Sequence, residues 1–174
     1  RESVVIANIP YYITSPILFR FFFYLYFTPS EMVILMQKEV GDKIRETKEF
    51  GRSYFSLTCK RKCSSIKECF KVAAGNFFPP PKVESTVLHF SNILKKNPGS
   101  NTQSGADDRF LSVISKGFAH PRKFVVSNLA QGNSVQKNLY IELFKELGIS
   151  EQARPAELSM EDWERVIEKN LKNT

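Results

Sequence analysis

Asn8, Pro10 and Tyr11, in the run Asn8-Ile9-Pro10-Tyr11, are the residues of this chain best suited to chemistry on a planar nitrogen base. They follow the unbroken apolar run Val4-Val5-Ile6-Ala7, which reads as a strand inside a parallel sheet. In doubly wound sheets ligands bind beyond the carboxyl ends of the strands, where this tetrapeptide falls. The lone pair of an exocyclic base amine is delocalised into the ring and is a poor nucleophile. Two acceptors aimed at its hydrogens, the side-chain oxygen of Asn8 and the carbonyl of Pro10, would draw the nitrogen towards tetrahedral geometry and point the lone pair at an electrophilic methyl group. No base with a shifted pKa is needed first, because the methylated amine loses its proton afterwards. Tyr11 offers a flat face on which a base taken out of its helix can stack. The plain alternative is an Asn and Pro turn that simply ends a strand.

The elements that must hold these residues are readable in outline. Ser15 followed by Pro16 marks a helix start, with Ser as the cap and Pro in the first turn, and the helix is expected over 15–25. A second buried strand is expected at 32–36, an amphipathic helix at 38–46 and a further helix at 54–62. Period-two patterning then suggests strands at 66–72 and 85–90. Between them Phe77-Phe78-Pro79-Pro80-Pro81-Lys82 can be neither helix nor central strand. This is an α/β layer pattern. Residues 92–106 are rich in Asn, Ser, Gly, Pro and Lys and read as a solvated linker. From 107 onward the pattern is helical: Phe110, Leu111, Ile114 and Phe118 form one stripe, and Leu139, Leu143, Phe144 and Leu147 another before Gly148. Ser159 caps a last helix bearing Trp163, Val166, Ile167 and Leu171.

Composition narrows the partner. The 174 residues carry 25 basic and 18 acidic side chains, a formal charge of +7, which favours a polyanion, nucleic acid first. No run approaches the roughly 20 apolar residues that span a bilayer, and the longest, 17–27, is interrupted by Arg20. Cys59, Cys63 and Cys69 are odd in number and far from His89 and His120, which suits reduced thiols in a cytoplasmic protein rather than a metal site.

Four ordered blocks carry a family resemblance. Residues 8–19, Asn-Ile-Pro-Tyr-Tyr-Ile-Thr-Ser-Pro-Ile-Leu-Phe, resemble the catalytic motif and following helix of KsgA-type ribosomal RNA adenine N6,N6-dimethyltransferases. Met36-Gln37-Lys38-Glu39-Val40 is similar to the family's exit from its next strand, and 77–85, Phe-Phe-Pro-Pro-Pro-Lys-Val-Glu-Ser, to its later loop. Arg122-Lys123 with Asn128-Leu129 resembles its helical-domain signature. The resemblance implies the second half of a Rossmann-like class I methyltransferase sheet, residues 1–91, the linker 92–106, and a small all-helical rRNA-binding domain at 107–174. It further implies S-adenosylmethionine as donor, and as substrate two adjacent adenosines near the 3′ end of small-subunit rRNA, in the immature small ribosomal subunit. Asn8 and Pro10 would hold the amine, Asn8 would also lie beside the donor, Tyr11 would stack on the base, and Phe77 would be the second aromatic wall. Phe77 is preferred to Phe78 because it occupies the family position and only one of two neighbours in extended chain faces a given side. Lys82, Arg122 and Lys123 are phosphate candidates, with a solvated charged face as the alternative.

Two departures matter. Ile9 stands for the usual Leu, and His120-Pro121-Arg122-Lys123 replaces what is often a row of arginines; Pro121 should break a helix there. No glycine-rich donor loop precedes Asn8, so the chain reads as the later part of a longer enzyme, not competent alone, with an unprotected strand edge at Val4, Val5 and Ile6 expected to favour self-association. The competing readings are a macrolide-resistance-type large-subunit rRNA adenine methylase and a non-catalytic RNA-binding or ribosome-assembly factor.

Overall fold

A computed structural model of the chain describes residues 3–25, 28–94 and 101–170. They fall into two compact units, the first formed by 1–50 with 55–100 and the second by 51–54 with 101–174.

The first unit is built on a four-stranded mixed sheet in the order β1 (Val4–Asn8), β2 (Glu31–Gln37), β4 (Ser85–Ile93), β3 (Cys63–Val72). β1 runs parallel to β2, with Asn8 opposite Leu35; β4 is antiparallel to both of its neighbours. Strict alternation makes β2 the spine of the core: Met32, Ile34 and Met36 are wholly buried while Val33 and Leu35 turn to the half-covered face. β1 pairs only with β2 among the described residues, and Val4 and Ile6 on it are 57% and 80% exposed. The uninterrupted apolar run therefore forms the strand expected of it, but with Val4 and Ile6 left uncovered.

The helix expected at 15–25 starts differently. A short 3₁₀ turn, Tyr11–Ile13, leads into α1 (Thr14–Phe19), which widens into a π-type turn at Arg20–Tyr24. Ser15 is not the cap: it sits inside the first turn, and the Thr14 hydroxyl donates instead to the Tyr11 carbonyl at 3.1 Å. Pro16, with no amide hydrogen to lose, fits that first turn. After β2, α2 (Lys38–Arg45) lays Gly41 against Thr86 and Leu88 of β4. A Cβ at Gly41 would come within 2.4 Å of the Thr86 methyl, so only glycine allows this approach. α3 (Tyr54–Lys62) has the expected bounds and runs straight into β3, three residues earlier than the period-two pattern suggested. Cys59 and Cys63 are both buried and free. Burial pushes both thiols up, so neither is a nucleophile at neutral pH.

The second unit is helical: α4 (Asn101–Gly117), α5 (Val125–Ala130), α6 (Ser134–Leu147) and α7 (Met160–Asn170). α4 begins inside the stretch expected to be linker, so 101–106 are helix; polar composition alone does not distinguish a helix start from a loop. β4 likewise extends to Ile93, and 95–100 lie outside the described residues. Phe110, Ile114, Val126, Phe144, Trp163 and Val166 make the core. Leu139 is 52% exposed and does not join Leu143, Phe144 and Leu147, because α6 turns that position to solvent. Asn133 caps α6, accepting from the Val135 and Gln136 amides, and Gly148 at φ 68° ends it. At α7 Ser159 and Asp162 cap each other reciprocally, as the expected Ser159 start requires. Pro121 falls in the turn between α4 and α5, and Leu171 lies outside the described residues.

No helix among the described residues is long and apolar enough to cross a membrane. No group of three or more His, Cys, Asp or Glu among them could hold a metal ion.

Candidate active site

The carboxyl end of β1 opens into a shallow cleft of about 380 Å³ lined by Asn8, Ile9, Pro10, Tyr11, Phe77, Phe78, Pro79 and Pro81. Two segments nearly seventy residues apart in sequence thus meet there, and all four residues singled out for chemistry, Asn8, Pro10, Tyr11 and Phe77, are among the lining.

Each is held by its element. Asn8 is the last residue of β1; its backbone is fixed by pairing with Leu35, and its exposed side chain makes no hydrogen bond among the described residues. Its amide oxygen is therefore available to a ligand. Ile9 is buried at 8% and anchors the turn from beneath. Pro10, at φ −57° and ψ 135°, bends the chain out of the strand, and its carbonyl accepts from the Ile13 amide at 3.1 Å. A carbonyl oxygen has two lone pairs, so one stays open.

Tyr11 opens the 3₁₀ turn, and its hydroxyl is 2.5 Å from the Ser85 hydroxyl at the start of β4. This bond fixes the ring against the cleft, a function that the flat face alone does not suggest. Ser85 is wholly buried and is the positioning residue that sequence reasoning missed. It is visible in the sequence only as the end of the 77–85 block. The start of β4 is itself held in place. The Lys38 amide donates to the Glu84 carbonyl at 2.9 Å. Beneath it, Asp42 takes Lys38 at 3.0 Å and Arg45 at 2.8 Å; Arg45 continues to Glu68 at 2.8 Å, and Glu68 accepts from Thr86 of β4 at 3.1 Å. Burial pushes the Asp42 carboxyl up, but the hydrogen bonds from Lys38 and Arg45 outweigh it and hold its pKa below the ordinary value. The same bond from Lys38 to Asp42 holds the Lys38 ammonium above its own.

In the second lining segment Phe77 is half-buried in extended backbone, φ −116° and ψ 152°. Phe78 also lines the cleft, fully exposed at its rim. The expectation that only one of the two rings could face the pocket holds for a regular strand; in this proline-rich loop both line the cleft. Lys82 is exposed at the end of the same loop and is not part of the lining. Arg122 and Lys123 belong to the helical unit, both exposed in the turn between α4 and α5. That turn is clamped by Asn128, whose amide donates to the Gly117 carbonyl at 2.6 Å and the His120 carbonyl at 3.0 Å.

The end of β1, on a mixed α/β sheet, thus brings an unengaged amide, a proline carbonyl and the side chains of Tyr11 and Phe77 to one cleft. The family model described as "Ribosomal RNA adenine dimethylase" matches residues 1–171, and the chain belongs to this family. It is 34% identical over 173 residues to a ribosomal RNA small subunit methyltransferase A of Desulfitobacterium hafniense, covering 99% of this chain and 60% of that protein. It is 32% identical over 163 residues to the protein of the same name from Dehalococcoides mccartyi, covering 93% of this chain and 53% of that one. The chain thus spans a little over half the length of these relatives. In fold it is similar to a crystal structure of a dimethyladenosine transferase from Plasmodium falciparum, with a TM-score of 0.76 at 20% identity, over 99% of this chain and 69% of that one. It is also similar to the 23S rRNA methyltransferase ErmE, with a TM-score of 0.65 at 22% identity, over 95% of this chain and 64% of that one. The fold is therefore of the methyltransferase type that the family resemblance implied, on the α/β layer pattern read from the strands and helices.

Proposed function

We propose that this chain is the base-holding part of an rRNA adenine N6,N6-dimethyltransferase that acts on two adjacent adenosines near the 3′ end of small-subunit rRNA. The observation that carries the reading is the convergence of Asn8, Pro10, Tyr11 and Phe77 on one cleft at the end of β1. The small-subunit assignment follows the curated relatives, whose names specify that subunit.

In this reading the target adenine enters between Tyr11 and Phe77. The Asn8 side-chain oxygen and the open lone pair of the Pro10 carbonyl accept the two N6 hydrogens, which pyramidalises the nitrogen and directs its lone pair out of the ring plane. The free amide of Asn8, at a strand's carboxyl end, fits a small-molecule donor on its other side. S-adenosylmethionine, when bound, supplies a methyl group on a sulfonium, transferred to N6 as the carbon–sulfur bond breaks and the sulfur becomes a thioether. The extra proton on N6 leaves to water afterwards, and a second passage gives the dimethylated base. Tyr11, tied to Ser85, keeps its ring from rotating out of the stack.

Lys82, Arg122 and Lys123, all exposed, serve as phosphate contacts that position the RNA without reading its sequence. The free thiols of Cys59, Cys63 and Cys69 suit a reducing, cytoplasmic setting. The uncovered Val4 and Ile6 on β1 favour pairing with a second copy of this chain.

The complete protein, incubated with donor and unmodified small ribosomal subunits, is expected to produce N6,N6-dimethyladenosine at two adjacent positions near the 3′ end, read by mass spectrometry of nuclease fragments. Modification confined to large-subunit RNA would move it to the macrolide-resistance type. RNA binding without any methyl transfer would make it a non-catalytic assembly factor.

A further inference from the structure

Phe78 is the most exposed large apolar side chain among the described residues, at 102%. A lone exposed phenylalanine would say little, since apolar side chains scattered singly over a surface are ordinary. Phe78 is not scattered. It belongs to the lining of the cleft at the end of β1, next in sequence to Phe77, and the proposed chemistry gives it nothing to do.

The size of that cleft decides what it can enclose. At about 380 Å³ it lies near the lower end of the roughly 300–1,000 Å³ usual for small-molecule sites. One nucleoside suits such a volume and two do not. The substrate proposed above is two adjacent adenosines on one strand. When one base is drawn into the cleft, its neighbour loses the face on which it was stacked and stays outside, at the mouth. A flat apolar ring at the rim replaces the lost stacking partner.

The loop presents this ring on stiff backbone. Pro79, Pro80 and Pro81 follow Phe78 directly, each with its φ fixed by its own ring. On the other side the Phe77 amide donates to the Ala74 carbonyl at 3.2 Å. Little backbone freedom is therefore lost when a base settles on Phe78. The ring has no polar atom with which to read a base edge. Stacking accepts any base, because every base has a flat face.

We propose that Phe78 is a second base subsite, its ring stacking on the nucleotide next to the target adenine while the target lies between Tyr11 and Phe77. The proposal rests on that reading of the first pocket. The site then takes a two-nucleotide unit: one base inside, selected by its amine, and one outside, held by its face alone. One ring serves one neighbour, on the 5′ or the 3′ side of the target.

The test is calorimetric titration of the complete protein with adenosine and with dinucleotides of adenosine, in both orders. Their second unit is either purine riboside, which lacks the amine that Asn8 and Pro10 would hold, or an abasic ribose. Wild type is expected to bind one order of the purine dinucleotide about tenfold more tightly than its abasic counterpart, in line with stacking on an aromatic ring. Phe78→Ala should lose that gain and keep its affinity for adenosine. Phe78→Tyr should retain the gain, and Phe78→Leu, apolar but not flat, should lose most of it. The side chain is exposed, so these replacements leave the core intact. No gain in the wild type, a gain that survives in Phe78→Ala, or an equal gain in both orders would overturn the subsite. Weakened binding of adenosine itself by Phe78→Ala would make the ring a wall of the first pocket instead. Tyr11→Ala binding adenosine as the wild type does would remove the first pocket, and this proposal with it. Loss of adenosine by Tyr11→Ala beside an undiminished purine gain in Phe78→Ala would overturn the second subsite alone.

Discussion

Replacing Asn8 with Ala in the complete protein is expected to lower single-turnover methylation of small-subunit rRNA by about 10²–10³-fold, the usual cost of removing one preorganised partner of the transition state. The reasoning is geometric. Asn8 ends β1, its side chain is exposed and unengaged, and nothing else in the cleft lining carries a side-chain acceptor of that kind apart from the Tyr11 hydroxyl, already bonded to Ser85. Without its oxygen only the Pro10 carbonyl faces the amine, and the nitrogen stays planar. Because Asn8 does not support the core, stability should change little. The loss should fall on the chemical step rather than on RNA affinity. Tyr11→Ala should show the opposite balance, weakening base capture by roughly 1–3 kcal/mol. Near-wild-type single-turnover rates for Asn8→Ala would remove this residue from the mechanism.

The largest stability effect is expected at Trp163. It is wholly buried among the helices of the second unit, stacked at 5.6 Å on Phe118, and its ring lies so close to α4 that a Cβ on Gly117 would come within 2.3 Å of it. Trp163→Ala leaves a large cavity beneath α4 and should cost about 3–5 kcal/mol. Trp163→Phe should cost much less, since the indole nitrogen has no hydrogen-bond partner to lose. Urea unfolding of the full chain, followed by circular dichroism at a helical wavelength, checks both. Equal destabilisation by Ala and Phe would contradict the packing account, because it would mean that ring volume is not what holds the helices.

Much of this was legible before the structure, for identifiable reasons. Asn8, Pro10 and Tyr11 stood out because residue type and order are local, and local patterns survive in a sequence; Phe77 was reached only through the family resemblance. α3 has the bounds its pattern indicated. What escaped depends on distance along the chain or on competition between similar signals. The bond from Tyr11 to Ser85 joins residues 74 apart and leaves no periodicity to read. The Ser15-Pro16 start was displaced because the 3₁₀ turn at Tyr11–Ile13 had already set the helix direction. Polar composition at 101–106 could not separate a helix start from a linker.

The central claim is that Asn8 and Pro10 together hold the amine of an adenine. A crystal structure of the complete protein with adenosine in the cleft at the end of β1 measures this directly. The account predicts N6 within about 2.7–3.2 Å of both the Asn8 Oδ1 and the Pro10 carbonyl oxygen, with the base between Tyr11 and Phe77. An adenosine bound with N6 turned to solvent, or seated away from Tyr11 and Phe77, would contradict it.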